Sequence, residues 1–179
     1  MKKSLLAAAV LASTVFAAPG AWAQTDISSP PQALELIDGS AFFGDSFEAG
    51  NSGNTFADRF TFTVSGTVGQ NLDAIVASVS RSADLGLDIT GFWLYDGSDT
   101  LLGTGTSMET GAVDVWTVAS DNLVAGDYYI RVDGTVVSDD GASFGGAMML
   151  VPVPEPETYG MMLGGLGVLG FLARRRKAK

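Results

Sequence analysis

The chain has 179 residues, twenty of them acidic and ten basic, with no histidine and no cysteine. Without cysteine there are no disulfides and no thiolate chemistry, and without histidine there is no Ser-His-Asp triad, no imidazole base and no ordinary zinc site. Seven of the ten bases lie in the two ends, so residues 24–153 set eighteen acids against Arg59, Arg81 and Arg131, a net −15 that repels nucleic acid and phosphate-rich surfaces.

The N-terminus opens Met1-Lys2-Lys3 and runs almost wholly apolar from Leu5 to Ala18. Small residues follow at Ala21 and Ala23, with Gln24 after them. A positive start, a short apolar stretch and an A-x-A site predict a secretory signal peptide over residues 1–23, cut by signal peptidase before Gln24. From Gln24 to Val153 there are 130 residues, enough for one domain with its own core and too few for two.

Gln24 to about Leu36 is polar and holds prolines, which predicts a loose leader. Ser40 to Asn54 mixes aromatics with turn residues and predicts one short strand and a loop. Beyond Phe56 a period of two dominates. Phe60, Phe62 and Val64 alternate with threonines, and the run from Ala74 to Val79 is apolar on both faces. Leu85, Leu87 and Ile89 continue in phase into Trp93 and Tyr95, with Phe92 and Leu94 opposite. Asp96-Gly97 predicts a turn and a return strand from Thr100 to Leu102. Val113 to Thr117, Tyr128 to Asp133 and Ala142 to Val151 complete the series. Seven or eight short strands at this spacing, divided by Gly and Asp, predict an all-β sandwich.

Few residues in this body offer chemistry. Asp58 is in phase with Phe56, Phe60 and Phe62, which aims a carboxylate at the core. Either it ligates a cation, or it is satisfied by loop amides or Arg59, and the second reading is preferred because short acids commonly bind turn backbones. Asp96, Asp99, Asp139 and Asp140 sit in acidic turns with oxygen ligands of the kind calcium takes, but they match neither an EF-hand nor a repeated nonapeptide. No cofactor is expected. Trp93, Tyr95, Trp116, Tyr128 and Tyr129 offer the side chains of a sugar platform, although aromatics at alternating strand positions are more often core. Glu48 and Glu109 are imaginable as a glycosidase pair, but nothing in the sequence fixes their separation.

The C-terminus is organised as tightly as the N-terminus. Val151 to Glu157 reads VPVPEPE, an extended spacer stiffened by three prolines. A helix over about 158–173 reaches about 24 Å at ~1.5 Å per residue, against about 30 Å of bilayer core. It holds five glycines, and Arg174, Arg175, Arg176 and Lys177 follow as a membrane stop that keeps the basic tail, 174–179, cytoplasmic. The sequence reads as a short membrane segment, able to span only with thinning or snorkelling, that acts as a temporary tether facing the body outward.

Pro154-Glu155-Pro156, the short glycine-rich apolar segment and the terminal basic cluster together resemble the PEP-CTERM sorting domain, here residues 153–179. That resemblance implies handling by a membrane-embedded processing enzyme, an exosortase, in Gram-negative bacteria that make extracellular polysaccharide. Phe56-Ala57-Asp58-Arg59-Phe60 resembles the motif of the FxDxF type of these proteins. Leu85 to Asp96, with Ala125 to Val132, is similar to bacterial pre-peptidase C-terminal domains, which implies a jelly-roll-like sandwich for residues 24–152. The leading expectation is therefore an exported, non-enzymatic cell-surface or matrix protein linked to exopolysaccharide or biofilm, with no nucleic-acid partner. The alternatives are a carbohydrate- or calcium-binding module of that matrix and, furthest away, a carboxylate-based hydrolase.

Overall fold

Phe56, Asp58, Phe60, Phe62 and Val64 occupy every second position of one run, and that alternation, apolar but for Asp58, makes a strand with a single buried face. In the computed structural model, which describes residues 24–153 and 156–177, this strand is β3, Thr55–Val64. The other strands are β1 (Gln32–Ala33), β2 (Ser40–Phe47), β4 (Gln70–Val79), β5 (Leu87–Asp96), β6 (Leu101–Thr104), β7 (Thr106–Glu109), β8 (Val113–Leu123), β9 (Gly126–Val136) and β10 (Ala142–Pro152); a single helix, α1, covers Pro156–Lys177. They form two five-stranded sheets, ordered β1-β3-β9-β5-β6 and β2-β10-β4-β8-β7. The expected β-sandwich is present.

The space between the sheets is filled largely by phenylalanine. Phe43 and Phe60 have ring centroids 5.0 Å apart, Phe47 and Phe56 4.6 Å, and Phe56 stacks on Phe144 at 5.4 Å. Phe60, Phe92, Leu94, Ile130 and Val132 are fully buried. Each such side chain contributes about 1.5–3 kcal/mol of burial.

Three expectations are corrected. The leader is not loose. Its β1 runs parallel to β3, pairing Gln32 with Phe60, and Ile27, Leu34 and Leu36 pack on the core. Residues 24–36 therefore form a strap along the edge of the first sheet.

The phase of β5 also differs. Ile89 faces Gly134 and Gly91 faces Asp133, so Thr90 is an extra residue in the ladder. Such a bulge switches the faces. Leu87 and Ile89 point inward before it, and Phe92 and Leu94 after it, leaving Trp93 and Tyr95 on the outer face.

Third, among the described residues no helix is long and apolar enough to cross a membrane. The helix expected at 158–173 exists within α1, but Gly160, Gly164, Gly165, Gly167 and Gly170 dilute its apolar run. The bases from Arg174 onward take up its last turn.

Candidate functional site

Phe56, Asp58 and Phe60 all face inward from β3, and Asp58 is 1% exposed. Its partners come from the strap. The Ser29 amide donates to Asp58 Oδ1 at 2.8 Å, and the Ala57 amide donates to Ser28 Oγ at 2.7 Å. Asp26 Oδ1 in turn accepts from the Ser28 amide at 3.0 Å and from its hydroxyl at 2.5 Å. Asp58 is thus held by a backbone amide and not by Arg59.

Its second oxygen has no hydrogen-bond partner, and neither has Oδ2 of Asp45, which faces it from β2. Burial pushes the Asp58 carboxyl up to about 6, opposed by the Ser29 amide and reinforced by the Asp45 charge. A calcium ion would need six to eight oxygens at about 2.3–2.6 Å. Among the described residues no three acidic side chains converge to supply them.

The second buried acid, Asp114, is better satisfied. It accepts from the amides of Ile89 and Gly111, each at 3.2 Å, and its Oδ2 lies 3.2 Å from Ser78 Oγ. Both buried acids tie loops to strands.

The outer face of the first sheet carries the most distinctive group of side chains. Cross-strand register places Arg59, Arg131 and Trp93 in one row and Thr61, Tyr129 and Tyr95 in the next. The rings and guanidinium groups interleave. Arg59 lies 5.0 Å from the Tyr129 ring, Tyr129 stacks on Tyr95 at 5.0 Å and 11°, and Arg131 sits 5.3 Å from Tyr95 and 4.8 Å from Trp93. Under Trp93 is Gly91, where any Cβ would collide with the indole.

Two acids brace this ladder. Asp133 takes two hydrogen bonds from Arg131, at 2.8 and 3.0 Å, and Asp99 accepts from the Tyr129 hydroxyl at 2.6 Å while lying 3.6 Å from Arg59. Burial and the Asp99 contact push the Tyr129 hydroxyl up to about 12. Burial raises Asp133 against the pull of Arg131. The ring faces are largely spent on one another, so the ladder presents ring edges and Arg59, whose side chain is 44% exposed.

The platform imagined from the sequence therefore divides. Trp93, Tyr95 and Tyr129 meet on this face, while Tyr128 packs inward on Phe62 at 5.8 Å and donates to the Val124 carbonyl. Trp116 belongs to the other sheet, partly buried against the core. The ladder was not legible as an outer-face feature; the signal that could have found it is Gly91, a bulge residue before two aromatics.

The acidic turns separate as well. Asp96 Oδ1 accepts from the amides of Ser98 at 2.9 Å and Thr100 at 2.8 Å, and these bonds, the Thr100 amide foremost, hold its carboxyl below the ordinary range. Asp99 serves Tyr129 and Arg59. Asp139 and Asp140 lie beyond the opposite end of the sheet, since Leu87 pairs with Val136 and Asp96 with Tyr128. Glu109 is on edge strand β7 and Glu48 follows the other edge strand, β2. Four strand spacings of ~4.8 Å put them about 19 Å apart, far beyond the roughly 5–9.5 Å of glycosidase carboxylates.

Of the terminal signals, Ala21 and Ala23 of the cleavage site, with Pro154 and Glu155 of the sorting tripeptide, lie outside the described residues; Gln24 is the first described residue and Pro156 begins α1.

No curated protein matches the chain. Among solved structures, it is similar to the pre-peptidase C-terminal domain of collagenase from Bacillus anthracis, at 16% identity and a TM-score of 0.40, covering 68% of this chain and 95% of that one. Residues 152–177 match the PEP-CTERM protein-sorting motif, so the chain carries a signal for exosortase-dependent export at the end of a β-sandwich body.

Proposed function

We propose that the protein is a non-enzymatic component of the cell surface or extracellular matrix of a Gram-negative bacterium, delivered there by its sorting tail and associated with exopolysaccharide or biofilm. The observation that carries this reading is the match of residues 152–177 to the sorting motif, joined directly to β10 of a self-contained sandwich. The body works as cargo: Asp26 and Asp58 brace the strap, Asp96 a turn, and Asp99 and Asp133 the ladder. The precursor waits at the inner membrane with its body in the periplasm. Because α1 falls short of a free span, the tail is held there by the processing enzyme as much as by lipid.

Replacing Pro154, Glu155 and Pro156 with alanines tests the reading. Transfer across the inner membrane stays normal, and an unprocessed form accumulates in the periplasm-facing fraction, read by fractionation and protease accessibility. If the variant reaches the surface as efficiently as the parent, the tripeptide is only a spacer and the reading fails.

A second reading, a carbohydrate-binding module, is favoured by the ladder on the first sheet. Binding of purified exopolysaccharide that is lost in an Arg59→Ala, Trp93→Ala double variant supports it.

A further inference from the structure

The outer face of the second sheet is unlike that of the first. Outward positions carry Phe42 on β2, Ala147 and Met149 on β10, Ile75 and Ala77 on β4 and Val115 on β8. A shallow trough of about 490 Å³ runs across these strands, and Asp73 is the one charged residue lining it. The run Ala74 to Val79 already read as a strand covered on both sides, yet Ile75 is 45% and Val79 76% exposed. Among the described residues nothing covers this sheet face.

We infer that the cover is a second copy of the chain, docked face to face about a two-fold axis. Shape supports this occupant. Phe42 projects from the face at 85% exposure, and beside it lies a hollow of small residues, Gly44, Gly145, Ala147 and Ala77, neighbours in register. A Cβ built on Gly145 meets only the Phe43 carbonyl, 4.0 Å away, so the space above it is open. A knob next to a hollow on one surface is the requirement for an isologous interface, in which each Phe42 fills the other copy's hollow.

Charge supports it too. Bodies with eighteen acids and three bases repel one another, and a surface nearly free of charge is where two of them can meet. Four strands ~4.8 Å apart and some eight residues long at ~3.3 Å each give about 500 Å² per copy, or on the order of 1,000 Å² in all. That is the lower end for specific interfaces and predicts a weak, reversible dimer, suited to copies concentrated on a surface.

The test uses the full chain and its lack of native cysteine. Sedimentation equilibrium of the parent shows a monomer–dimer equilibrium. Gly145→Leu adds apolar surface, so nonspecific association would strengthen; filling the hollow instead weakens the dimer at least tenfold, and Phe42→Asp does the same. A mixture of Phe42→Cys and Gly145→Cys chains forms a disulfide between copies. The proposal is overturned by association that Gly145→Leu leaves unchanged or strengthens, by absence of the mixed disulfide, or by an Ala147→Cys, Gly164→Cys chain that cross-links internally, which would make α1 the cover.

Discussion

Asp58 places an acid where an apolar side chain would be expected, and its environment dictates the direction of the pH response. Its carboxyl titrates near 6 in the folded chain against about 3.8 ordinarily. A raised carboxyl favours folding when protonated, so its contribution is fully present below about pH 4 and is lost as pH rises through about 6. The loss is on the order of 2–3 kcal/mol. Asp58→Asn keeps an oxygen for the Ser29 amide and gives Asp45 a donor. The variant is therefore expected to melt higher than the parent at pH 7.5, with the difference shrinking toward pH 4.5, followed by circular dichroism. A constant difference across that range would mean that Asp58 does not titrate there. The inward phase of this acid was legible from Phe56, Phe60 and Phe62; its partner Ser29, twenty-nine residues earlier and without any periodic pattern, was not.

At the scale of elements, sequence showed the strands that carry their own alternation and missed those that borrow it. The unread β1 is two residues long and gains its identity from parallel pairing to β3. The equally unread β7 is exposed along its length, an edge strand with no buried face to produce a pattern. In β5 every apolar residue was visible, but the extra Thr90 reversed which ones point outward. The strap depends on few contacts, and this makes it testable. Ser28→Ala leaves the Ala57 amide unpartnered and is expected to cost about 1–2 kcal/mol. Hydrogen exchange at Ala57 should accelerate much more than exchange at the central strand β9. Equal acceleration at both would mean that the strap and the sandwich open only together.

For the whole molecule, the net −15 of residues 24–153 is a repulsion that the fold overcomes with its phenylalanine core. Screening relieves that repulsion, with a Debye length of about 10 Å at 0.1 M salt. The melting temperature is expected to rise by a few degrees between 10 and 200 mM sodium chloride. Calcium and magnesium at matched ionic strength should then give equal melting temperatures, as no three acids converge among the described residues. A fall with salt would mean that ion pairs such as Arg131–Asp133 outweigh the general repulsion.

The order of strands in the two sheets also has a meaning in time. In the first sheet β3 and β5 do not touch as neighbours until β9 lies between them, and in the second β2 and β4 are joined only by β10. In a chain threaded N-terminus first across a membrane, the strand that joins the earlier ones, β9 in the first sheet and β10 in the second, is the last of its sheet to emerge. The first sheet can close once Gly126–Val136 has passed and the second only with Ala142–Pro152, when Pro156 and α1 stand only four residues behind. In a chain exported this way the second sheet would be completed only as the sorting tail arrives. Closure of β10 would then mark the end of the cargo, just ahead of the segment that carries the sorting signal.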